Sequence, residues 1–536
     1  IYMSVPVFIL LVAAVLLLIA GLALLYRRSP KSPVQPRRSI VTICILLLSV
    51  ALLPELPLAA GFAGNAYTDV ITLTERYGFV YTFSRSLIDV GIDRPEDYSA
   101  RRIHAIAEDV LRTETKTPEV TPNIIFLQLE SFFDVNHLEG VTFSEDPVPY
   151  FRALKENGPS GFFTAPSVGA GTANTEFEVM TQMNVHDFGT GEYPYKTILQ
   201  DTTCESIAYN LKELGLSTHV MHNNTATFYD RDKVFSKLGS DSFTSIEYMN
   251  DVEYNEIGWA KDSILTGGIL DLLDSTASRD LIYTISVQPH GAYPTDSESD
   301  GIRVLSGIED EALRSEMEYY ATQLQEVDDF LRALTAALEA LDEPTVLVVY
   351  GDHMPSLEIE ESKLDSGNLY TTEYAVWANF PLEAEDKDVK AYQLASHVLE
   401  MLGINNGTLT KFHQMNAWSG AYETELRTLQ YDMLYGDRVV YGGENPFEET
   451  DMRFGTRDVV LHRAAVRGDT LTAYGENFTP YSAIYIDGAR YETTFVSENK
   501  ITCTAEDLPA DARVSVRQVA EDGTELSSAV VREESG

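Results

Sequence analysis

Thr345-Val-Leu-Val-Val-Tyr-Gly-Asp-His353 is the stretch whose reading decides the fold. Its first six residues run without polar alternation, which predicts a short strand buried on both faces, as in a parallel sheet. The run stops at Gly351, expected to permit a tight turn, and delivers Asp352 and His353 side by side. One hard oxygen and one imidazole nitrogen suit Zn2+ or Mn2+ better than Ca2+.

A second stretch, Asn123–Ser131 (NIIFLQLES), has the same form and ends in Glu130. A carboxylate closing a buried strand is costly unless it is paired or bound to a cation. Its other reading is a first-turn helix residue beside Ser131. A third, Gly169–Phe177 (GAGTANTEF), is a small-residue loop carrying two hydroxyls, Thr172 and Thr175. In open α/β sheets the carboxyl ends of strands meet at one crevice, where ligands bind. A carboxylate, an Asp-His pair and a hydroxyl meeting there would make a metal-activated nucleophile.

Outward from these stretches, strand-like and helix-like segments alternate from about residue 119 to 405. Strands are expected at 124–129, 217–221, 281–287, 345–350 and 373–379, and helices at Thr197–Leu214, Glu309–Leu341 and Val389–Leu402. That order predicts an α/β fold, a mostly parallel sheet flanked by helices. Leu324, Val327, Leu331 and Leu334 recur at helical spacing and read as core. Two loops after expected strands add polar and aromatic groups to the same rim. STHVMHNNTATFYDRD supplies His222, Asn224, Tyr229 and Arg231, a set suited to gripping a phosphate and a hydroxylated group. LIYTISVQPHGAYP supplies His290.

The flanks differ from this middle. Two apolar runs, Val5–Tyr26 and Ile40–Phe62, are each long enough to cross a hydrocarbon core of about 30 Å. Between them Arg27–Arg38 carries four Arg, one Lys and no acid. By the positive-inside rule this loop faces the cytoplasm. Residues 1–62 are therefore expected to be a membrane anchor with two transmembrane helices, making the chain a multi-pass cell-membrane protein whose catalytic domain is extracellular. Residues 63–118 read as a helical linker containing the Pro-led amphipathic segment PEDYSARRIHAIAEDVLR. The catalytic domain is expected over 119–430, while the polar, aromatic stretch 406–454 shows no readable elements. From 455 to 536, short alternating strands broken by GD, GEN, DG and EN predict a small all-β sandwich.

A formal net charge of −43 argues against nucleic acid as a partner, since no Lys/Arg-rich stripe could neutralise phosphates. The three cysteines, Cys44, Cys204 and Cys503, form neither a CxxC motif nor a disulfide framework.

Leu129-Glu130-Ser131, Thr172–Phe177 and Tyr350–His353, taken with the membrane–linker–catalytic order, resemble the lipoteichoic acid synthases of Gram-positive bacteria, within the alkaline phosphatase/sulfatase superfamily. The likeness runs over about residues 60–405. It implies a sulfatase/alkaline phosphatase-like fold and one divalent cation, Mn2+ or Mg2+ with Zn2+ as a further option, held by Glu130, Asp352 and His353. Thr172 would be both a ligand and the nucleophile, and His222, Tyr229, Arg231 and His290 would hold the glycerol-phosphate group.

The implied reaction moves glycerol phosphate from phosphatidylglycerol or a related phospholipid, through a threonine intermediate, to a polyglycerol-phosphate (teichoic acid) or glycolipid acceptor. The chain departs from the family pattern at three places: Tyr229 replaces a common Trp, Gly171 a Lys, and Asn174 a frequent Asp. The rivals are a phosphoethanolamine transferase, a phosphodiesterase or sulfatase-like hydrolase, and an inactive surface-binding protein. Cys204 and Cys503 lack the C/S-x-P-x-R context a formylglycine sulfatase needs. The order GENFTP…IYIDG…TFVSENKITC in the C-terminal segment resembles the immunoglobulin-like TIG (IPT) module.

Overall fold

In a computed structural model of the chain, the described residues are 78–532, except 117, 298–299, 383–384 and 506–511, together with Arg27, Ile40, Val41 and Thr74. The two expected membrane spans lie outside the described residues, apart from Ile40 and Val41. Among the described residues no helix is long and apolar enough to cross a membrane.

The main layer is a nine-stranded sheet built from β1 (Asn123–Leu129), β2 (Ser160–Thr164), β3 (Ser217–His222), β4 (Ser242–Thr244), β5 (Asp280–Ile285), β6 (Thr345–Gly351), β7 (Thr371–Ala378), β8 (Val389–Lys390) and β9 (Arg453–Phe454). Their spatial order is β8-β2-β7-β6-β1-β5-β3-β4-β9. Only β7 runs antiparallel to its neighbours; the other pairings are parallel. The unbroken apolar runs follow from burial on both faces. Ile124 and Phe126 enter one core with Val346 and Val348. Ile125, Leu127 and Leu129 enter the other with Leu347 and Val349.

Each long strand expected from sequence is present to within two residues at either end. The helix expected at Glu309–Leu341 is Glu311–Glu339, with Leu324, Val327, Leu331 and Leu334 fully buried. Of the linker, Phe79–Ile88 and Ala100–Arg112 are helical, the latter capped by the Ser99 side chain on Arg102 N–H.

Three expectations need correction. Thr197–Leu214 is two short helices, Ile198–Asp201 and Ile207–Lys212, because Ser206 takes an extended conformation and caps Tyr209 N–H. Val389 and Lys390 belong to an edge strand, so the expected 389–402 helix starts at Ala391. The α/β layer does not stop at 430. Helices Thr408–Asn416 and Tyr422–Leu434 pack Leu409, Phe412, Leu426 and Leu429 into its core, and β9 closes its edge.

The C-terminal segment forms the expected sandwich. A five-stranded sheet (order 493–497, 500–504, 470–476, 460–467, 530–531) faces a four-stranded one (489–490, 482–486, 514–519, 525–528). Leu471, Ala473, Ile484, Ile501 and Val516 fill the space between them. The sandwich grips the segment after β4. Gln518 Nε2 and Thr479 Oγ1 both donate to the Glu247 carbonyl, at 2.8 and 2.7 Å, and Tyr248 Oη lies 2.8 Å from Ser527 Oγ.

Candidate active site

The register sets Leu129 beside Gly351, so Glu130 and Asp352 leave adjacent strands at the same level. His222 closes β3, and β5, lying between β3 and β1, leads to His290. Gly351 is required for a different reason than a turn. A Cβ there would lie 1.9 Å from the Phe132 carbonyl oxygen, so the two exit loops can pass only if it is absent.

Ser131 takes left-handed backbone (φ 50), which turns its N–H onto Asp352 Oδ1 at 2.7 Å. Its hydroxyl donates to Glu130 Oε1 at 2.7 Å. Tyr320 Oη, donating to the Ser131 carbonyl at 2.6 Å, holds this turn in place. Thr172 begins a fully buried helix, Thr172–Thr181, and its Oγ1 donates to Glu130 Oε2 at 3.2 Å. Gln128 fixes that end by donating from Nε2 to the Thr172 carbonyl while its Oε1 accepts from Tyr283 and Tyr350. Thr175, the other hydroxyl of the loop, points away and donates to the Asp352 carbonyl at 2.8 Å.

Glu130, Asp352 and His353 each bring one ligand atom to a common point, all within 4.8 Å of one another. His353 Nε2 lies 3.7 Å from Glu130 Oε1 and 3.5 Å from Asp352 Oδ2. These are too long for hydrogen bonds, and both Asp352 Oδ2 and His353 Nε2 are buried without a partner. His353 Nδ1 lies 2.8 Å from the Met354 carbonyl, which can only accept, so Nδ1 carries the hydrogen and Nε2 presents a lone pair. Burial, then the neighbouring Glu130 carboxylate, pushes the Asp352 carboxyl well above its usual range. Two buried acids and an imidazole lone pair aimed at one point fit a single divalent cation, which supplies the missing positive charge.

On the other side of the pocket stands Arg231, 1% exposed. Its Nε and Nη2 are both taken by Glu176, the first at 3.1 Å, leaving Nη1 beside His222 Nε2 and the Phe228 carbonyl, each at 3.3 Å. His222 Nδ1 donates to the Ile285 carbonyl at 2.9 Å. Burial, and then the Arg231 charge, hold His222 well below its ordinary pKa, so it is neutral. Tyr229 and Asp230 both take left-handed backbone (φ 61 and 57), which swings the Tyr229 ring under the guanidinium, 5.2 Å away, and against Tyr193. His290 Nδ1 bonds the Gly291 carbonyl and its ring packs on Trp259, with centroids 4.4 Å apart.

One small cavity of about 30 Å3 is lined by Glu130, Thr172, His222, Asn224, Tyr229, Arg231, His290 and His353. The structure thus brings eight of the nine expected site residues to one surface, with the ninth, Asp352, directly behind it. Neither Cys204 nor Cys503 reaches it. Sequence reasoning missed Ser131, Glu176, Gln128 and Trp259. Glu176 had a signal, an acid four positions after Thr172 on the same helix, but nothing local pairs it with an Arg fifty-five positions later. At Gly171 (φ 104) a Cβ would meet Ser167 Oγ at 2.6 Å, so the lysine common in synthases is replaced by a residue suited to this backbone.

Residues 122–404 match the family described as Sulfatase, and residues 464–530 match the IPT/TIG domain. Over 287 residues the chain is 30% identical to a Rhizobium meliloti (strain 1021) protein named for cyclic beta-1,2-glucan modification, covering 53% of this chain and 44% of that one. It is 26% identical over 245 residues to the capsular polysaccharide biosynthesis protein RkpI of the same strain, covering 45% and 42%. The chain thus spans less than half the length of these relatives. Among solved structures, the Streptococcus pyogenes phosphoglycerol transferase GacH, in complex with sn-glycerol-1-phosphate, shares the fold. Its TM-score is 0.58 at 22% identity, over 67% of this chain and 100% of that one. With half the chain matched and the strand-end site assembled as described, the protein belongs to the sulfatase family of the alkaline phosphatase superfamily, and it carries an IPT/TIG domain at its C-terminus.

Proposed function

We propose that the protein is a membrane-anchored, extracytoplasmic phospho-group transferase that moves glycerol phosphate from phosphatidylglycerol to a hydroxyl of a cell-surface glycan or of a growing glycerol-phosphate chain. The observation that carries this reading is the pairing of a hydroxyl nucleophile with two buried acids and an imidazole lone pair on one side, and a buried arginine on the other. The solved fold relative acts on phosphoglycerol, and both curated relatives are named for work on polysaccharides. These names favour a glycan hydroxyl as acceptor.

A divalent cation bound by Glu130, Asp352 and His353 would polarise the phosphoryl oxygen and favour the ionised threonine. Thr172 Oγ1, oriented by Glu130 Oε2, attacks phosphorus. The bond from phosphorus to the diacylglycerol oxygen breaks, and phosphoglycerol is left esterified to Thr172. Arg231 Nη1, aided by the positive end of the Thr172–Thr181 helix, binds the phosphoryl oxygens as charge builds on them. The Gly291 carbonyl holds the Nδ1 hydrogen of His290, so Nε2 carries a proton only in the imidazolium form; that form hands it to the departing diacylglycerol oxygen, and the proton given up by Thr172 replaces it. Neutral His222 cannot donate from Nε2 and serves to hold Arg231. An acceptor hydroxyl then displaces Thr172, returning it to its starting state.

The test is turnover of fluorescent phosphatidylglycerol, phosphatidylethanolamine and an aryl sulfate by detergent-solubilised protein with Mn2+. Diacylglycerol release from phosphatidylglycerol that disappears in Thr172→Ala is the expected result. Release only from phosphatidylethanolamine would transfer the reading to phosphoethanolamine transfer, and an active Thr172→Ala with an inactive Thr175→Ala would refute the assigned nucleophile.

A further inference from the structure

Another cavity, of about 350 Å3, lies between helices Ala391–Met401 and Thr408–Asn416 and shares no lining residue with the pocket at Thr172. Its position is unusual in two independent ways. Trp418, on the short connection to helix Tyr422–Leu434, stands at its rim 85% exposed, the largest exposure among the exposed large apolar side chains described. His397, at its wall, is 9% exposed, yet neither ring nitrogen finds a hydrogen-bond partner within the protein. Buried polar groups in folded proteins are nearly always paired, so an imidazole in a cavity wall whose two covered nitrogens are both idle marks a place where a small side-chain shift would let something else bind.

The chemistry of the wall narrows what that is. Burial, and then Lys387, push His397 down to about 4, so at neutral pH it is an uncharged ring with one donor and one acceptor. Gln414 spends its Nε2 on the Ser396 and Ile404 carbonyls, at 3.0 and 2.9 Å, and keeps Oε1 as an acceptor. Lys387 and Glu400, both exposed, add one positive and one negative charge, which cancel. A flat indole face beside paired donors and acceptors, with no net charge, is complementary to a pyranose ring, whose C–H face is apolar and whose edge carries adjacent hydroxyls. The volume is at the small end of ligand pockets (~300–1,000 Å3), enough for one or two sugar units.

We infer that Trp418 and His397 form a saccharide-binding subsite, separate from the reaction centre, that takes a neutral sugar unit of a glycan chain. Its role as an anchor for the acceptor rests on the glycan reading above, but its existence is tested by binding alone. The full protein is titrated with sophorose, cellobiose and maltose, following tryptophan emission and calorimetric heat. At least one sugar is expected to bind saturably and perturb the emission of exposed Trp418. Trp418→Ala is expected to weaken binding by about tenfold or more, and Trp418→Phe, which keeps an aromatic face, by less. Since Trp418 is on the surface, its removal leaves the core intact; His397→Gln, checked by circular dichroism, reports on the buried wall. Glu130→Gln separates the two claims, because it should bind sugar normally whether or not the protein proves to be a transferase. No saturable binding of any of the three sugars, or equal affinity in Trp418→Ala, overturns the subsite.

Discussion

Two acid-histidine clusters lie at the same end of the main sheet and are alike in composition, but opposite in electrostatics. Glu130, Asp352 and His353 are all buried, and among the described residues no Lys or Arg pairs with them. Asp134, His137 and Glu373 also bring their ligand atoms within 4.8 Å of one another. There, however, Lys155 pairs with Glu373, Arg152 lies 3.6 Å from Asp134, and His137 bridges Asp365 and Glu373 at 3.2 and 3.1 Å. The Glu373 contact lifts His137 to about 9 against the pull of burial, so it is a cation. Burial raises Glu373, but His137 and Lys155 more than offset it and the net shift is downward. The second cluster therefore carries its own counter-ions and needs no metal; the first has ligand atoms and no cation. Spacing and residue type do not separate a metal site from an ion-pair knot. The cations packed against one cluster and not against the other do.

The largest expected effect tests that contrast directly. Glu130→Gln should lower diacylglycerol release by about 10^3-fold or more, the scale for losing a group that acts with the nucleophile. His137→Gln should leave turnover within about threefold, and a comparable loss in both would erase the distinction. Next is Glu176→Gln, which leaves the Arg231 charge buried without its carboxylate partner. Stability should fall by about 3 kcal/mol, and kcat/KM by roughly tenfold to a hundredfold through misplacement of Nη1. An unchanged kcat/KM would mean that Glu176 supports the fold alone.

Third, saturating Mn2+ should raise thermal stability by about 3 kcal/mol at a hundred times its dissociation constant. Asp352→Asn should abolish that rise, whereas Glu373→Gln should retain it; the reverse pattern would exchange the two clusters. The smallest effect is a pH signature. His137 has a folded pKa of about 9, above the ordinary ~6.5, so its stabilisation is complete below about pH 6.5 and is lost as pH rises through 9. Urea midpoints should fall over that window by the equivalent of about 1–3 kcal/mol, less in His137→Gln.

Sequence was most informative where burial is two-sided. β1 and β6 are continuous apolar runs because both faces meet a core, and their ends carry Glu130, Asp352 and His353 at positions a reader can name. It was least informative where strands are short. β4 (SFT), β8 (VK) and β9 (RF) hold too few residues for any period to show, and they are strands only because a neighbour offers an edge. The 406–454 stretch looked unstructured because its helices bury Tyr422, Leu426 and Leu429 among many polar residues. The Glu176–Arg231 pair and the Asp134–His137–Glu373 knot were invisible for a related reason. Each is defined by a partner far along the chain, and only the folded sheet brings the partners together.

The route by which the chain leaves the α/β layer has a consequence for how the two domains can be separated. It exits as β9, hydrogen-bonded along β4, and runs directly into a sandwich that clasps the Glu247 carbonyl. The last strand of the first domain is thus also the tether of the second. A protease or a stop codon placed just before Arg453 would not release a neat catalytic core. It would bare the outer edge of β4, a row of unpaired amides and carbonyls of the kind that recruits another chain. The module after the enzyme is, in this sense, the hem of its sheet.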